Sequence, residues 1–409
     1  MLFKKGELSL LWRFYLSQFL GFSFAIVPLI IFIYFFQKGF SLGFGIFLVA
    51  ISNVSGVIFE IPTGVFADRF GRKKSTLIYY FLSALIFLTI PFLNSQLFLL
   101  LAFFMFGIAI TFRSGAFRAW VVDNLREHKR KDLIQTFFTK SHMILAAGFT
   151  ISGLIFSGMF FLFPENFTFS LFNKKFITLD IVWFVEGFVF LISGLILLSA
   201  KESFSIQKLK TIKKEFKESV KLSKKGFIYS FKHPVIFAII MSALLSTIFT
   251  NIKWAASQPF MLNNSIPIAY FGYIGSILAI FGVFLPLISE KIVKKVKKNL
   301  YLASLTIITF IASMSILSIK GPILAFLYLF IVRADDYLST PVEEAYFHEH
   351  TPSKQRATMD SILNLFYSFG GLIALGIGGY LLNVISPALF IFFGAFLLIP
   401  IVIVYLRIK

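Results

Sequence analysis

The stretch IVRADDYLST, residues 331–340, sets one guanidinium and two carboxylates, Arg333, Asp335 and Asp336, among apolar neighbours. A carboxylate pair beside a cation can take up and release a proton, and the cations Arg113, Lys253 and Arg333 can hold an anionic metabolite. Glu60, Arg118, His142 and Glu186 interrupt other apolar runs. At the centre of a membrane-spanning helix such groups cost about 2.5–3.5 kcal/mol each on insertion scales, which makes them functional candidates. Glu60 and Arg118 lie near the ends of their runs, where pairing or snorkelling is cheap, and the lone His142 reads as a satisfied polar core group. Hydrolytic chemistry is poorly served. The histidines His128, His142, His233, His348 and His350 show no H-E-x-x-H spacing, and the HEH run ending at His350 reads as a solvated loop rather than a metal site. Gly64 and Gly71 have six residues between them rather than the four of a phosphate loop. A membrane-embedded enzyme acting on lipid and an ATP-driven pump are thereby disfavoured, no cofactor or metal is expected, and transport driven by an ion gradient remains.

The elements that must position these groups follow from composition. The chain has 409 residues, 58% of them hydrophobic and only 14% charged, against about 25% charged in soluble domains. Runs of about 20 apolar residues, each long enough to cross a bilayer, recur roughly twelve times. The first, from about Leu10 to Phe36, is too long and too closely followed by a second to be a cleaved signal peptide. Cysteine is absent, so disulfides and thiolate metal sites are excluded. The net charge of +20 would suggest nucleic acid in a soluble protein. Here Lys4, Lys5, Arg69 to Lys74, Arg126 to Lys131, the lysines of 201–232, Lys291 to Lys298, Lys354, Arg356, Arg407 and Lys409 occupy alternate connections. That bias explains the charge without nucleic acid and places both termini in the cytoplasm of a multi-pass protein of the plasma or inner membrane.

The basic segment 201–232 divides the runs into two sets of about six, giving a bundle over 1–200, a linker and a bundle over 233–409. Leu209, Ile212, Phe216 and Val220 recur in the linker at helical spacing, which fits either an amphipathic surface helix or a solvated connector. The loop DRFGRKKS after the second run and SEKIVKKVKKN after the eighth occupy matching places; the second is equally basic but lacks the glycines and the aspartate. A rise of about 1.5 Å per residue puts Lys253 and Asp335 within ~7–8 Å in depth, so they can pair; alternatively Arg333 pairs locally with Asp335 or Asp336. The 57 phenylalanines are read as lipid-facing or packing residues, not as an aromatic box.

In GVFADRFGRKKS, Gly64, Asp68, Arg69, Gly71, Arg72 and Lys73 resemble the signature loop of the major facilitator superfamily, G-x-x-x-D-R-x-G-R-[RK]. EIPTG, WAASQP and the element Pro352, Arg356, Ala357, Thr358 are similar to the second span, the seventh span and the ten-to-eleven connection of bacterial members. The resemblance implies an all-α membrane protein with twelve transmembrane helices in two pseudo-symmetric six-helix bundles, moving a small molecule by alternating access. It places Arg113, Lys253, Arg333, Asp335 and Asp336 at a central cavity and makes Asp68, Arg72 and Asp123 a conformational latch. Proton-coupled export of a drug-like or metabolite substrate by a monomer is the expected activity; uptake or exchange of an anionic metabolite is the alternative. Two departures bear on export. Phe103 stands where many proton-coupled exporters carry arginine, and the fifth span has Gly148, Gly153 and Gly158 but no Gly-Pro pair.

Overall fold

The computed structural model describes residues 3–202, 233–351 and 356–407. The linker from 203 to 232 and Pro352 lie outside the described residues, as do the side chains of His348, Arg356, Ala357 and Thr358. In the first half the helices are α1 (Glu7–Ser23), α2 (Ile31–Gln37), α3 (Leu42–Phe70), α4 (Arg72–Thr89), α5 (Gln96–Ser114), α6 (Ala116–Glu127), α7 (Asp132–Leu162) and α8 (Asp180–Leu198). In the second they are α9 (Pro234–Asn263), α10 (Phe271–Val293), α11 (Lys298–Met314), α12 (Pro322–His350), α13 (Arg356–Leu381), α14 (Pro387–Ala395) and α15 (Leu398–Arg407).

Several spans are built from two pieces. A 3-10 turn at Val27–Leu29, with Pro28 inside it, separates α1 from α2, because proline supplies no N–H to continue the ladder. Gly115 joins α5 to α6. Eleven of the described spans are long and apolar enough to cross a membrane. Completing the twelve is α12, whose middle carries Arg333, Asp335 and Asp336 and is too charged to qualify by hydropathy.

Side-chain placement shows what solvent these helices need. On α8, Trp183, Gly187, Phe190, Gly194 and Leu197 are buried, yet Phe188, Ile192 and Leu195 on the other side are exposed. A helix apolar all round requires lipid on its free face. Trp183 anchors an aromatic core with Tyr34, Phe87 and Phe103 at centroid separations of 5.2, 5.1 and 6.3 Å. Phe103 is thus a packing residue. In the second half, Ile236, Ile239, Ile240 and Ala243 of α9 pack with Tyr346, Phe347, Met359, Ile362 and Leu363.

Packing divides the chain into two units: Met1–Tyr34, Ile51–Ile212 and Ile268–Ala279 form the first; Phe35–Ala50, Lys213–Pro267 and Ile280–Lys409 the second. A single cut at the linker does not describe this division. Within the second unit the Gly43 N–H donates to Asn383 Oδ1 at 3.0 Å. Within the first, Tyr273 N–H donates to Ser157 Oγ at 2.9 Å and Ser276 Oγ to the Thr150 carbonyl at 2.7 Å. Between α7 and α8 lies a β-hairpin, β1 (Thr168–Leu171) and β2 (Lys174–Ile177), turning through Phe172 and Asn173 at φ 52° and 58°. Two successive positive φ values suit the twist of a two-residue hairpin loop. Hydropathy gives no hint of it.

Close helix approach depends on glycine where α5 crosses α3: a Cβ on Gly107 would fall on the carbonyl of Ser52 and the hydroxyl of Ser55. Gly107→Val should therefore cost about 1–3 kcal/mol by overpacking. Gly64→Ala, where nothing lies within 4 Å of an added Cβ, should be nearly neutral. Thermal unfolding of the two detergent-purified variants checks this, and equal melting temperatures would refute the crossing.

Candidate functional site

The charges of α12 meet α9. Lys253 Nζ, almost fully buried, lies 3.0 Å from Asp336 Oδ1 and 3.1 Å from the Val332 carbonyl. Thr250 Oγ1 donates to the same Asp336 oxygen at 3.2 Å, and Arg333 Nη1 approaches Asp336 Oδ2 at 3.3 Å. One carboxylate thus serves two cations. Both expected pairings occur in part, with a change of partner: Lys253 takes Asp336, not Asp335. Adjacent residues on a helix point about 100° apart, so when Asp336 faces α9 its neighbour turns toward α11. There the Asp335 carboxyl faces Thr309, although its buried Oδ1 completes no hydrogen bond. Arg333 also lies over the ring of Tyr337, 5.4 Å from its centroid.

In the first unit Arg113 is held by aromatic faces. Its guanidinium carbon is 5.3 Å from the Tyr79 ring centroid and 5.1 Å from that of Phe117. Such contacts offset part of the desolvation of a cation. Among the described residues no carboxylate pairs with it, and its buried Nε has no hydrogen-bond partner. Glu60 is exposed on α3 and accepts a bond from Ser114 Oγ at 2.6 Å. His142 is exposed on α7 rather than a buried core group. No cluster of three or more metal-ligating side chains occurs among the described residues, and His350 Nδ1 lies 2.9 Å from the Tyr346 carbonyl.

The loop between α3 and α4 is tied down on several sides. Gly71 sits at φ 111°, ψ 141°, a backbone region that side-chain-bearing residues avoid. Its turn aims Arg72 at Asp123 on α6, where the two form an ion pair. Asp68, one helical turn back, is more distant at 3.9 Å. Arg72 Nη1 also approaches the Ala119 carbonyl at 3.4 Å. Lys73 Nζ donates to the carbonyls of Leu198 and Ala200 at 2.8 and 2.7 Å, where a cation suits the negative end of α8. Arg69 is exposed against the Phe70 ring, and a Cβ added to Gly64 would meet nothing within 4 Å among the described residues.

Some partners had no signal in the sequence. Glu202, just after α8, accepts the Lys73 N–H at 2.8 Å and covers Gly71. Trp120 Nε1 donates to the Lys201 carbonyl at 3.0 Å. Buried Glu186 on α8 accepts the N–H groups of Ile26 and Val27 at 3.2 and 2.9 Å, satisfying donors freed where the first span breaks. Glu7, fully buried, pairs with Lys140 Nζ at 2.5 Å and accepts from Tyr15.

The comparisons with known proteins bear on this arrangement. The model of the Major Facilitator Superfamily matches residues 1–139. An uncharacterized MFS-type transporter of Bacillus subtilis (strain 168), YxaM, is 26% identical over 366 residues, covering 86% of this chain and 84% of its own. Among solved structures, the nucleoside transporter NupG superposes with a TM-score of 0.76 at 13% identity, over 97% of this chain and 99% of its own. A bacterial homologue of the iron transporter ferroportin gives 0.74 at 12% identity over 97% of each chain. The D-xylose-proton symporter gives 0.67 at 13% identity over 97% of this chain and 96% of its own. At these identities the structural likeness speaks for the fold alone.

The α9–α12 pair generates a stability test. Asp336→Asn leaves Lys253 buried and short of its counter-charge, a loss of about 1–3 kcal/mol. Lys253→Met in the same chain should recover most of it, since the uncompensated cation is gone. Melting temperatures of the single and double variants decide; a double variant less stable than Asp336→Asn would show that the two side chains do not act as a pair.

Proposed function

We propose that the chain is a multi-pass secondary transporter of the major facilitator superfamily, whose model matches its first 139 residues, and that it couples substrate movement to protons taken up at Asp335. The observation that carries the reading is the division of labour on α12: Asp336 is held by Lys253 and Arg333, while Asp335 keeps a buried carboxylate oxygen that has no hydrogen-bond partner among the described residues. A carboxylate already holding two cations is a poor proton carrier. One without a counter-charge in contact is a better one. The fold also serves a D-xylose-proton symporter, so it is compatible with proton coupling.

Outward movement of a drug-like or metabolite substrate is the direction we propose, on the strength of the signature loop. The basic loops support cytoplasmic termini in the plasma or inner membrane. Arg113 favours a second reading, uptake or exchange of an anionic metabolite, because its guanidinium has no carboxylate partner among the described residues. Arg72 with Asp123 and Asp68 is proposed as a latch of the alternating-access cycle, with Asp123 as the dominant partner because Asp68 is the more distant.

Two experiments test this. Proteoliposomes with an imposed pH gradient are screened with ethidium, succinate and a fluorescent phospholipid. Gradient-driven accumulation of ethidium would support export of a cationic drug, and accumulation of succinate would support the anion reading. In either case Asp335→Asn should abolish uphill movement and keep counterflow; full accumulation in that variant would remove Asp335 from the proton reading. For the latch, a cysteine replaces Ser203 in a chain naturally free of cysteine. It should react with an impermeant maleimide in inside-out vesicles only, and a second cysteine replacing Ser339 should label faster in Asp123→Asn than in Asp68→Asn. Equal rates in both variants and the parent would mean that the loop does not control access.

A further inference from the structure

The ninth and tenth spans, α11 and α12, hide a line of polar atoms that the other described residues do not satisfy. Tyr301 Oη, Thr309 Oγ1 and Ser313 Oγ on α11, with Tyr328 Oη and Asp335 Oδ1 on α12, are buried without a hydrogen-bond partner among the described residues. Tyr301, Thr309, Ser313 and Tyr328 are exposed by only 5%, 1%, 0% and 3%, so bulk solvent does not reach them. They are also in order. Residues 301, 309 and 313 share one face of α11, residues 328, 335 and 343 one face of α12, and the two helices pack along each other. Ser313 faces Tyr328, Thr309 faces Asp335, and Tyr301 lies between Ser289 and the field of Asp335. At the end nearer Lys298, Tyr405 Oη donates to Glu343 at 2.7 Å and also lies in the field of Asp335.

Buried polar atoms without protein partners are the places where ordered water enters a protein. Hydroxyls donate and accept at once, so a row of them with water between can hand a proton along: each oxygen takes one proton and gives up another. The alternative occupant, a bound metal cation, needs six or more oxygens gathered around one point. Here the groups are strung from Tyr328 to Glu343 over ~22 Å of helix rise, which fits a path and not a cage.

We propose that Asp335, Thr309, Tyr301, Glu343 and Tyr405 form a hydrated proton path between α11 and α12, closed at its end by α15, leading from mid-span to the end that carries Lys298. The proposal rests on the reading of Asp335 as the proton carrier and adds the route and its second carboxylate, Glu343. A proton leaving the Asp335 carboxyl passes by exchange through the Tyr301 and water hydroxyls to the Glu343 carboxylate, and from there to water. No bond other than O–H forms or breaks, and nothing is oxidised or reduced. Asp336 stands off the path because Lys253 and Arg333 occupy its oxygens. The charged and titratable groups around the path are Lys253 from α9, Asp336 and Glu344 on α12 itself, and Tyr367 from α13.

The experiment needs no substrate. Infrared difference spectra of the purified chain in lipid nanodiscs, taken between acid and alkaline buffer, give the band of the protonated Asp335 carboxyl, identified by its loss in Asp335→Asn. Its hydrogen–deuterium exchange is then timed after a jump into heavy water. Glu343→Gln and Tyr405→Phe should keep the band and slow its exchange by about tenfold each, the rate cost of one lost hydrogen bond. Thr309→Val, close in shape to the parent, should do the same if either of those variants misfolds. Unchanged exchange in the folded variants would overturn the path and leave the proton reading standing. Absence of any Asp335 band in the parent would overturn both. Displacement of the band by sodium chloride but not by choline chloride would show a sodium site in place of the path.

Discussion

Hydrocarbon offers no hydrogen bonds, so every polar group carried into a span must find its partner within the protein, and the interior of this chain is arranged around that requirement. The solutions differ by location. Where the first span breaks at Pro28, the freed N–H groups of Ile26 and Val27 are answered by a carboxylate from another helix, Glu186. Where a lysine is buried on α9, Asp336 and the Val332 carbonyl accept its hydrogen bonds. Arg113 relies on ring faces, and Glu7 on Lys140. Apart from Arg113, whose rings lie on the adjoining helices α4 and α6, each solution joins two elements that are distant in sequence, so the same bonds that satisfy the charges also fix which helices are neighbours.

The signature loop shows the requirement at the membrane edge. Its conformation is set by Gly71, whose backbone angles turn the chain sharply enough to begin α4 one residue after α3 ends. Arg72 then meets Asp123, Lys73 meets the end of α8, and Glu202 accepts the Lys73 N–H beside the turn. Asp68 contributes the weakest of these contacts. The loop therefore binds α4, α6 and the end of α8 together inside the first unit.

Hydropathy resolves length and depth, and those features were legible: the long apolar runs, the basic alternate loops, and a depth match between Lys253 and the acids of α12. It does not resolve rotation about a helix axis. The depth estimate could not choose between Asp335 and Asp336, because adjacent residues differ by only about 1.5 Å in height but by about 100° in direction. The same limit hid the aromatic setting of Arg113 and the exposure of His142. Glu202, and the partners of Glu186, were illegible for another reason. Both carboxylates bond backbone N–H groups, which carry no residue type to recognise. The hairpin at 168–177 escaped because a two-residue Phe-Asn turn lacks the glycine that usually marks such loops.

That rotation has a mechanistic consequence for the acid pair. If Asp335 and Asp336 both bonded to Lys253, a proton arriving at one would directly disturb the ion pair of the other. On α12 they look in different directions, Asp336 toward Lys253 and Thr250, Asp335 toward Thr309. They remain linked through the single helical backbone, through the direct repulsion of Asp335 by Asp336, and through the field of Lys253, which reaches Asp335 without bonding to it. A proton on Asp335 therefore weakens one electrostatic attraction of Lys253 while leaving its hydrogen bond to Asp336 intact. On the proposed reading of Asp335 as the proton carrier, such coupling would change the balance between α9 and α12 by degrees, without stranding a bare ammonium in the apolar interior.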